Sequence, residues 1–285
     1  MNSPSDTTSA VRRPTTNVKI SAIRNGNLIE RPDTVATEEP MEIRIHGPNQ
    51  DPSPVTVTMR TPGNDYELTV GLLYNEGVIT HRDELKTVCY CTNVSKIEQR
   101  YNVVTVELAS AYLNTAKERS YFSASACGVC GTTSIDDIAA KAPPVKNSFT
   151  ISSETILALP PQMRPAQKLF SQTGGLHGAG IFDKYGNLEI VREDIGRHNA
   201  LDKIIGHYFM EGLLPLDEKI LVLSGRIGFE LVQKAAMAQI PIIVAVSAPS
   251  SLAIRTAEEL GITLIGFTRD ESANIYSFPE RIITS

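Results

Sequence analysis

Cys127 and Cys130 sit in Ser125-Ala126-Cys127-Gly128-Val129-Cys130-Gly131, a Cys-x-x-Cys among small residues. Two thiols this close, in a loop lean enough to expose them, suit sulfur or disulfide chemistry better than a packed core. The thiolate is the reactive form, so the loop needs something that lowers a cysteine pKa. A nearby arginine would do so, and so would the start of a helix that Thr133 or Ser134 can cap. The remaining thiols, Cys89 and Cys91, have strand spacing and are expected as a buried pair. His177 lies in a Gly-Gly-Leu-His-Gly turn that leaves its side chain little core to join, and His198 opens a helix. Either imidazole suits proton transfer or a structural role. Arg226, the Ser250-Ser251 pair and Arg269 each follow a predicted strand. Arginine forks and helix starts hold phosphates, although Ser250 and Ser251 read equally as plain caps. The run Arg192-Glu193-Asp194 reads as solvated charge or as ion pairs that hold the His198 helix start.

The elements that position these residues differ between the two halves. Val18–Ser21, Met41–Ile45 and Val55–Met59 alternate with period 2, and Pro62-Gly63-Asn64 stops the last of them. Leu68, Leu72 and Leu73 then recur at helical spacing over 65–76, with Gly77 as the stop. Strands resume over 87–94 and 103–108. This half is expected as an α+β unit with mostly local strand pairing. A short helix is expected over 153–158, ending before Pro160-Pro161. Beyond it, two strands flank the turn Asp183-Lys184-Tyr185-Gly186-Asn187. Helices over 199–210, 229–239 and 251–260 alternate with apolar strands over 219–223, 240–246 and 262–267. That alternation predicts an α/β sheet, parallel at its centre, with helices on both faces. The expected division is a tail at 1–16, an α+β domain at 17–150 ending in the cysteine loop, and a second domain at 151–285.

Composition narrows the partners. The 285 residues carry a formal charge of −5, so no basic excess exists for broad nucleic-acid binding. No window approaches the roughly 20 apolar residues of a membrane span. The Ser-, Thr- and Pro-rich start has no apolar signal region, so a cytoplasmic location is expected. Close cysteines in such a protein are more often catalytic or metal-binding than structural.

The order hairpin, helix, strand, helix, strand, helix, strand resembles the cytidine-deaminase fold. That family opens its first core helix with His-x-Glu and the next with Pro-Cys-x-x-Cys. Here Gly196-Arg197-His198-Asn199-Ala200 keeps the histidine but has Ala200 in place of the glutamate. Ser224-Gly225-Arg226-Ile227-Gly228 has no cysteine. Catalytic zinc takes three protein ligands and a water, so the scaffold is expected without the zinc site. A zinc hydrolase that used Cys127 and Cys130 with His177 or His198 is the less favoured alternative.

More specific motifs span the chain from about residue 17 to its end. They are Tyr66-Glu67-Leu68-Thr69-Val70-Gly71-Leu72-Leu73-Tyr74-Asn75-Glu76-Gly77, Cys127-Gly128-Val129-Cys130-Gly131 and Gly174-Gly175-Leu176-His177-Gly178-Ala179. Arg192 through Lys203, Ser224-Gly225-Arg226, Gly266-Phe267-Thr268-Arg269 and Asn274-Ile275-Tyr276 follow in order. In this set the chain resembles the FdhD family, the formate dehydrogenase accessory sulfurtransferases. The resemblance implies a sulfur carrier that takes persulfide sulfur from a cysteine desulfurase. It implies delivery to a molybdenum cofactor, the bis(molybdopterin guanine dinucleotide) form, as cargo for formate dehydrogenase. The persulfide cysteine maps to Cys127, with Cys130 as an assisting thiol or second carrier. The cofactor-binding stretch maps to Phe267, Thr268, Arg269, Asp270, Glu271 and Ser272. The family often has glycine where Asp270 stands, so an acid there either reads a base edge or repels a phosphate. A homodimer with no tightly bound metal of its own is also implied. A chaperone that binds the cofactor without a reactive thiol is the competing reading.

Overall fold

Period-2 patterning builds the first half, and a computed structural model that describes residues 13–91, 101–112, 142–146 and 149–284 shows the pairing. β1 (Thr15–Arg24) and β2 (Asn27–Ala36) form an antiparallel ribbon that begins inside the expected tail. Its turn is Asn25-Gly26, both at positive φ, the tight-hairpin geometry that Asn-Gly favours. β3 (Glu39–His46), β4 (Ser53–Arg60), β5 (Leu85–Tyr90) and β6 (Val103–Leu108) make a sheet in the order β4-β3-β6-β5. Pairing is local in its two hairpins, but β3 and β6 run parallel, with Ile43 opposite Val104 and Ile45 opposite Val106.

α1 (Asp65–Asn75) covers one face of that sheet. Leu68 and Leu73 are fully buried against Met41, Ile43, Ile45 and Val106, and Leu72 packs at the margin. Gly77, at φ 71, follows the helix end as expected. Cys89 and Cys91 correct an expectation: Cys89 is exposed and Cys91 only partly buried. β5 is an edge strand whose inward face is taken by Val88 and Tyr90, which leaves the cysteines on the other side.

The second half is a six-stranded mixed sheet in the order β13-β12-β11-β10-β8-β9. β10 (Lys219–Leu223), β11 (Ile242–Ala245) and β12 (Thr263–Arg269) are parallel neighbours. β8 (His177–Asp183), β9 (Leu188–Asp194) and β13 (Ser272–Ile275) pair antiparallel. Both faces are covered, which is why the central strands read as unbroken apolar runs. Leu221, Leu223, Ile243 and Ala245 pack with α4 (Arg197–Met210), α5 (Phe229–Met237) and α6 (Ser251–Leu260). Ile220, Val222, Ile242 and Val244 face the other way, onto Ile156, Leu159 and Met163 of α2 (Ser153–Met163).

α2 does not stop before Pro160-Pro161 but runs through both. Each proline forgoes a backbone donor, a loss confined here to the last turn. Burial of Leu159, Pro160 and Met163 against the sheet holds that turn in place. A short α3 (Lys168–Thr173) leads into β8. β7 (Ile151–Ser152) and β14 (Ile282–Ile283) form a small parallel pair that the sequence pattern did not suggest. Among the described residues no helix is long and apolar enough to cross a membrane.

The two halves meet where α1 crosses α4. A Cβ on Gly206 would fall 2.7 Å from the backbone N of Gly71 and closer still to the carbonyl of Glu67. A Cβ on Gly71 would fall 2.7 Å from the carbonyl carbon of Asp202. The helices therefore touch backbone to backbone. Side chains flank the crossing: Asn75 donates to Asp202 at 2.7 Å, and Arg192 and His207 both reach Glu67.

Candidate functional site

Because β10, β11 and β12 are parallel, their carboxyl ends share one edge of the sheet, the usual ligand edge of open α/β folds. Backbone bonds lace the segments that leave it. Ile227 N donates to Ala248 O at 3.1 Å, Ser250 N to Ile227 O at 2.9 Å, and Phe267 N to Ser247 O at 3.2 Å. Arg226 and Ser250 follow β10 and β11 along this one edge, and Arg269 ends β12 there. Ser250 serves as a helix cap, its Oγ accepting from Ala253 N at 3.2 Å.

β8 runs antiparallel to β10, so His177 at its start arrives beside the end of β10. Ser224 fixes the pair: its Oγ accepts from Gly178 N at 2.8 Å and its N donates to Gly178 O at 3.0 Å. The His177 ring packs on the bare Cα of Gly225, where a Cβ would lie 2.9 Å from Nδ1. The expectation that this ring finds little to pack against is therefore corrected. His177 is half-buried, and burial, reinforced by the positive charge of Arg197, His198 and Arg226 against an opposing pull from Asp194, depresses its pKa.

α4 begins just after β9, which brings Arg197 and His198 to the same corner. His198 Nε2 lies 3.8 Å from Glu230 Oε2. Burial works to raise the Glu230 pKa, but the facing His198 ring, a backbone N–H at the start of α5 and the Arg197 charge outweigh it and hold the pKa down. Arg197 Nε and His198 Nε2 are enclosed and have no hydrogen-bond partner among the described residues. An unmet buried donor ordinarily costs about 1–3 kcal/mol, so Arg197 Nε calls for an explanation.

The charged run before α4 is not a solvated face. Asp194 is fully buried and pairs with the equally buried Lys203 at 2.7 Å. Its Oδ1 accepts from Gly196 N and Asn199 Nδ2, each at 2.9 Å, and its Oδ2 from Thr61 N at 3.1 Å. Lys203 also donates to Thr61 O at 3.1 Å. Glu193 accepts from the backbone of Leu169 and Phe170 at the start of α3. Arg192 pairs with Glu67 at 2.5 Å. These ion pairs hold the start of α4, the second of the two expectations for this run.

Beside His177 and Ser224 lies a cleft of about 460 Å³, walled by Pro160, Met163, Phe170, Leu176 and Val246. Its polar lining includes Arg164, whose guanidinium stacks over the Phe170 ring at 4.2 Å, and Gln167.

The stretch expected to hold a cofactor is a tight hairpin. β12 passes through a bulge at Phe267 and Thr268, and Asp270-Glu271 turn the chain so that Arg269 pairs with Ser272. Phe267 is 37% exposed, Thr268 is fully buried with its Oγ1 unpartnered among the described residues, and Arg269, Asp270, Glu271 and Ser272 are exposed. Asp270 has φ 53, in the left-handed region that glycine favours and aspartate tolerates. The backbone thus explains why an acid can stand where glycine is expected. Cys127, Cys130 and the helix expected near Ser134 lie outside the described residues.

Sequence reasoning missed the cleft residues Arg164, Gln167 and Phe170, which no spacing ties to one another. It also missed Glu230, whose partner lies on another helix. Arg197 was visible only as the neighbour of His198.

The model of the FdhD/NarQ family matches residues 36–283. A Mycobacterium bovis protein named sulfur carrier protein FdhD is 46% identical over 265 residues, covering 90% of this chain and 94% of the relative. A Thermoplasma acidophilum protein of the same name is 43% identical over 264 residues, covering 93% and 92%. A solved structure titled a putative formate dehydrogenase accessory protein, from Desulfotalea psychrophila, superposes with a TM-score of 0.73 at 24% identity, covering 94% of this chain and 99% of its own.

Proposed function

The chain belongs to the FdhD/NarQ family, and on that premise we propose that it is a sulfur carrier for formate dehydrogenase. The observation that carries the proposal is the family match over 36–283, which spans Cys127, Cys130 and Phe267–Ser272. In the proposed reaction the Cys127 thiolate attacks the terminal sulfur of a cysteine desulfurase persulfide. The donor's S–S bond breaks, its thiolate leaves, and Cys127 becomes the persulfide. Cys130 then attacks the inner sulfur of Cys127. A Cys127–Cys130 disulfide forms, hydrosulfide leaves toward the cargo, and the two thiols supply the two electrons. A cellular dithiol, or two equivalents of a monothiol, reduces the disulfide, is itself oxidised to a disulfide, and resets the pair.

The cargo is the bis(molybdopterin guanine dinucleotide) form of the molybdenum cofactor, and Phe267–Ser272 is its binding stretch. The position of that hairpin on the carboxyl edge of the sheet supports this part of the reading. The second half is read as a cytidine-deaminase-like domain at 151–285, beside an α+β domain at 17–150. The proposed protein is cytoplasmic and dimeric. Intact mass spectrometry after incubation with a desulfurase and cysteine tests the carrier step. A reducible gain of about one sulfur on wild type, absent from Cys127→Ala, is expected. No gain on wild type, with cofactor binding intact, overturns the carrier and leaves a cofactor chaperone.

A further inference from the structure

We propose that Arg197, Arg226, His177 and His198 form a receptor for a phosphoryl or pyrophosphoryl group at the start of α4. Nothing in the family motifs assigns these four side chains to one ligand. They come from three places in the chain and meet because β9 hands over to α4 beside the ends of β8 and β10. His177 pairs with Asp194 across β8 and β9 and its ring packs on Gly225, so it stands between the Arg197-His198 segment and Arg226. Their arrangement leaves a donor without an acceptor: Arg197 Nε is enclosed and unpartnered among the described residues, while His198 Nε2 has the Glu230 carboxylate beside it at 3.8 Å, beyond hydrogen-bond distance. Arg226 is exposed and follows the Gly225 on which the His177 ring packs.

The local backbone adds to this. The N-cap of α4, Gly196, has no side chain to satisfy the first-turn N–H groups, and no acid stands in that turn. A 14-residue helix opening on an unmet guanidinium N–H and a cationic rim fits a tetrahedral oxyanion. The carboxylates that face the site do not fill it. Asp194 is committed to Lys203, Gly196 and Asn199, and Glu230 flanks His198 at 3.8 Å from one side. Gly225 keeps the approach open, since a side chain there would collide with the His177 ring. A dinucleotide carries such a group in its phosphate bridge, and that identification of the occupant rests on the function proposed above.

The probe is inorganic pyrophosphate, titrated into the full-length protein by calorimetry and followed on histidine ring protons by NMR. The chain has 5 histidines, and a His177→Asn spectrum identifies the His177 signal. Saturable binding is expected, with the His177 signal moving and its titration shifting to higher pH as the anion offsets the surrounding positive charge. Arg226→Gln and Arg197→Gln are each expected to weaken binding roughly tenfold, and Arg255→Gln, exposed on the outer side of α6, not at all. Arg226 is exposed, so its variant keeps the fold even if Arg197→Gln does not. No saturable binding to wild type, or equal affinity in Arg226→Gln and wild type, overturns the site. Pyrophosphate binding with no persulfide on Cys127 sustains this site and sinks the carrier. A persulfide on Cys127 with no arginine-dependent binding does the reverse. A guanine nucleotide binding tighter than pyrophosphate, with the same arginine dependence, assigns the site to a dinucleotide cargo over a free phosphate.

Discussion

Replacing Gly206 by alanine tests the claim that the two halves are joined backbone to backbone. In an open helix the change stabilises by about 1 kcal/mol through helix propensity. Here the new methyl would lie 2.7 Å from Gly71 N and nearer to Glu67 O, whereas ordinary contact begins at 3.4 Å. The helices must part by at least 0.7 Å, the difference of those two distances. Overpacking usually costs about 1–3 kcal/mol, and an obstacle made of main chain belongs at the upper end. Parting the helices also strains the buried Asn75–Asp202 bond, worth about 1 kcal/mol. Against the propensity gain, the net loss is about 3 kcal/mol. At roughly 2–4 °C per kcal/mol, the melting temperature falls by about 6–12 °C. Thermal melts and urea titration read this directly. Gly175→Ala is the control, since its methyl meets nothing closer than 3.9 Å, and a change within about 0.5 kcal/mol is expected. If Gly206→Ala melts at or above wild type, the crossing is looser than the geometry states and the reasoning fails.

Asp194→Asn removes the only carboxylate paired with buried Lys203 among the described residues, and a loss of about 3–5 kcal/mol in urea is expected. A loss below about 1 kcal/mol would mean that the lysine finds water or another partner. His177 has a depressed pKa, so its stabilising contribution is present above its ordinary value of 6.5 and is lost as pH falls through the lower folded value. His177→Asn should flatten the fall in stability as pH drops below 6.5, and an unchanged slope would assign that fall to other groups. Asp270→Asn should leave the hairpin and stability intact, while Asp270→Val, forced to φ 53, should cost about 1–2 kcal/mol. Equal stability of the two variants would refute the turn argument.

Periodicity carried the second half well. The strand at Lys219–Leu223 and the helix at Ser251–Leu260 have the bounds read from sequence, because unbroken apolar runs and amphipathic stripes are local signals. Where tertiary packing overrides local chemistry, the reading failed. Pro160-Pro161 marks a helix stop by local rules, yet burial against the sheet carries α2 through it. Cys89 and Cys91 looked buried because their strand is apolar, but which face of an edge strand turns inward depends on where α1 lies. Asn25-Gly26 was a legible turn signal that went unread, and β2 went with it. The motifs located His177, His198 and Arg226, but their meeting with Arg197 depends on β8 pairing antiparallel to β10, which no local pattern encodes.

The same dependence explains how the first half reaches the candidate site. Thr61, just after β4, donates its N–H to Asp194 and offers its carbonyl to Lys203, while its hydroxyl accepts from Ile195 N. Met59, near the end of β4, accepts from Asn199 on α4. The start of α4 is therefore held on one side by its own sheet and on the other by a strand from the other end of the sequence. A shift at β4 must move Asp194, and with it the turn that aims Arg197 and His198. The glycine crossing and this buried cluster fix α4 at two points along its length, one near its first turn and one at Gly206. Two anchors set both the tilt and the rotation of a helix, so the side chains at its start have a defined direction, as a site built on an unmet donor requires.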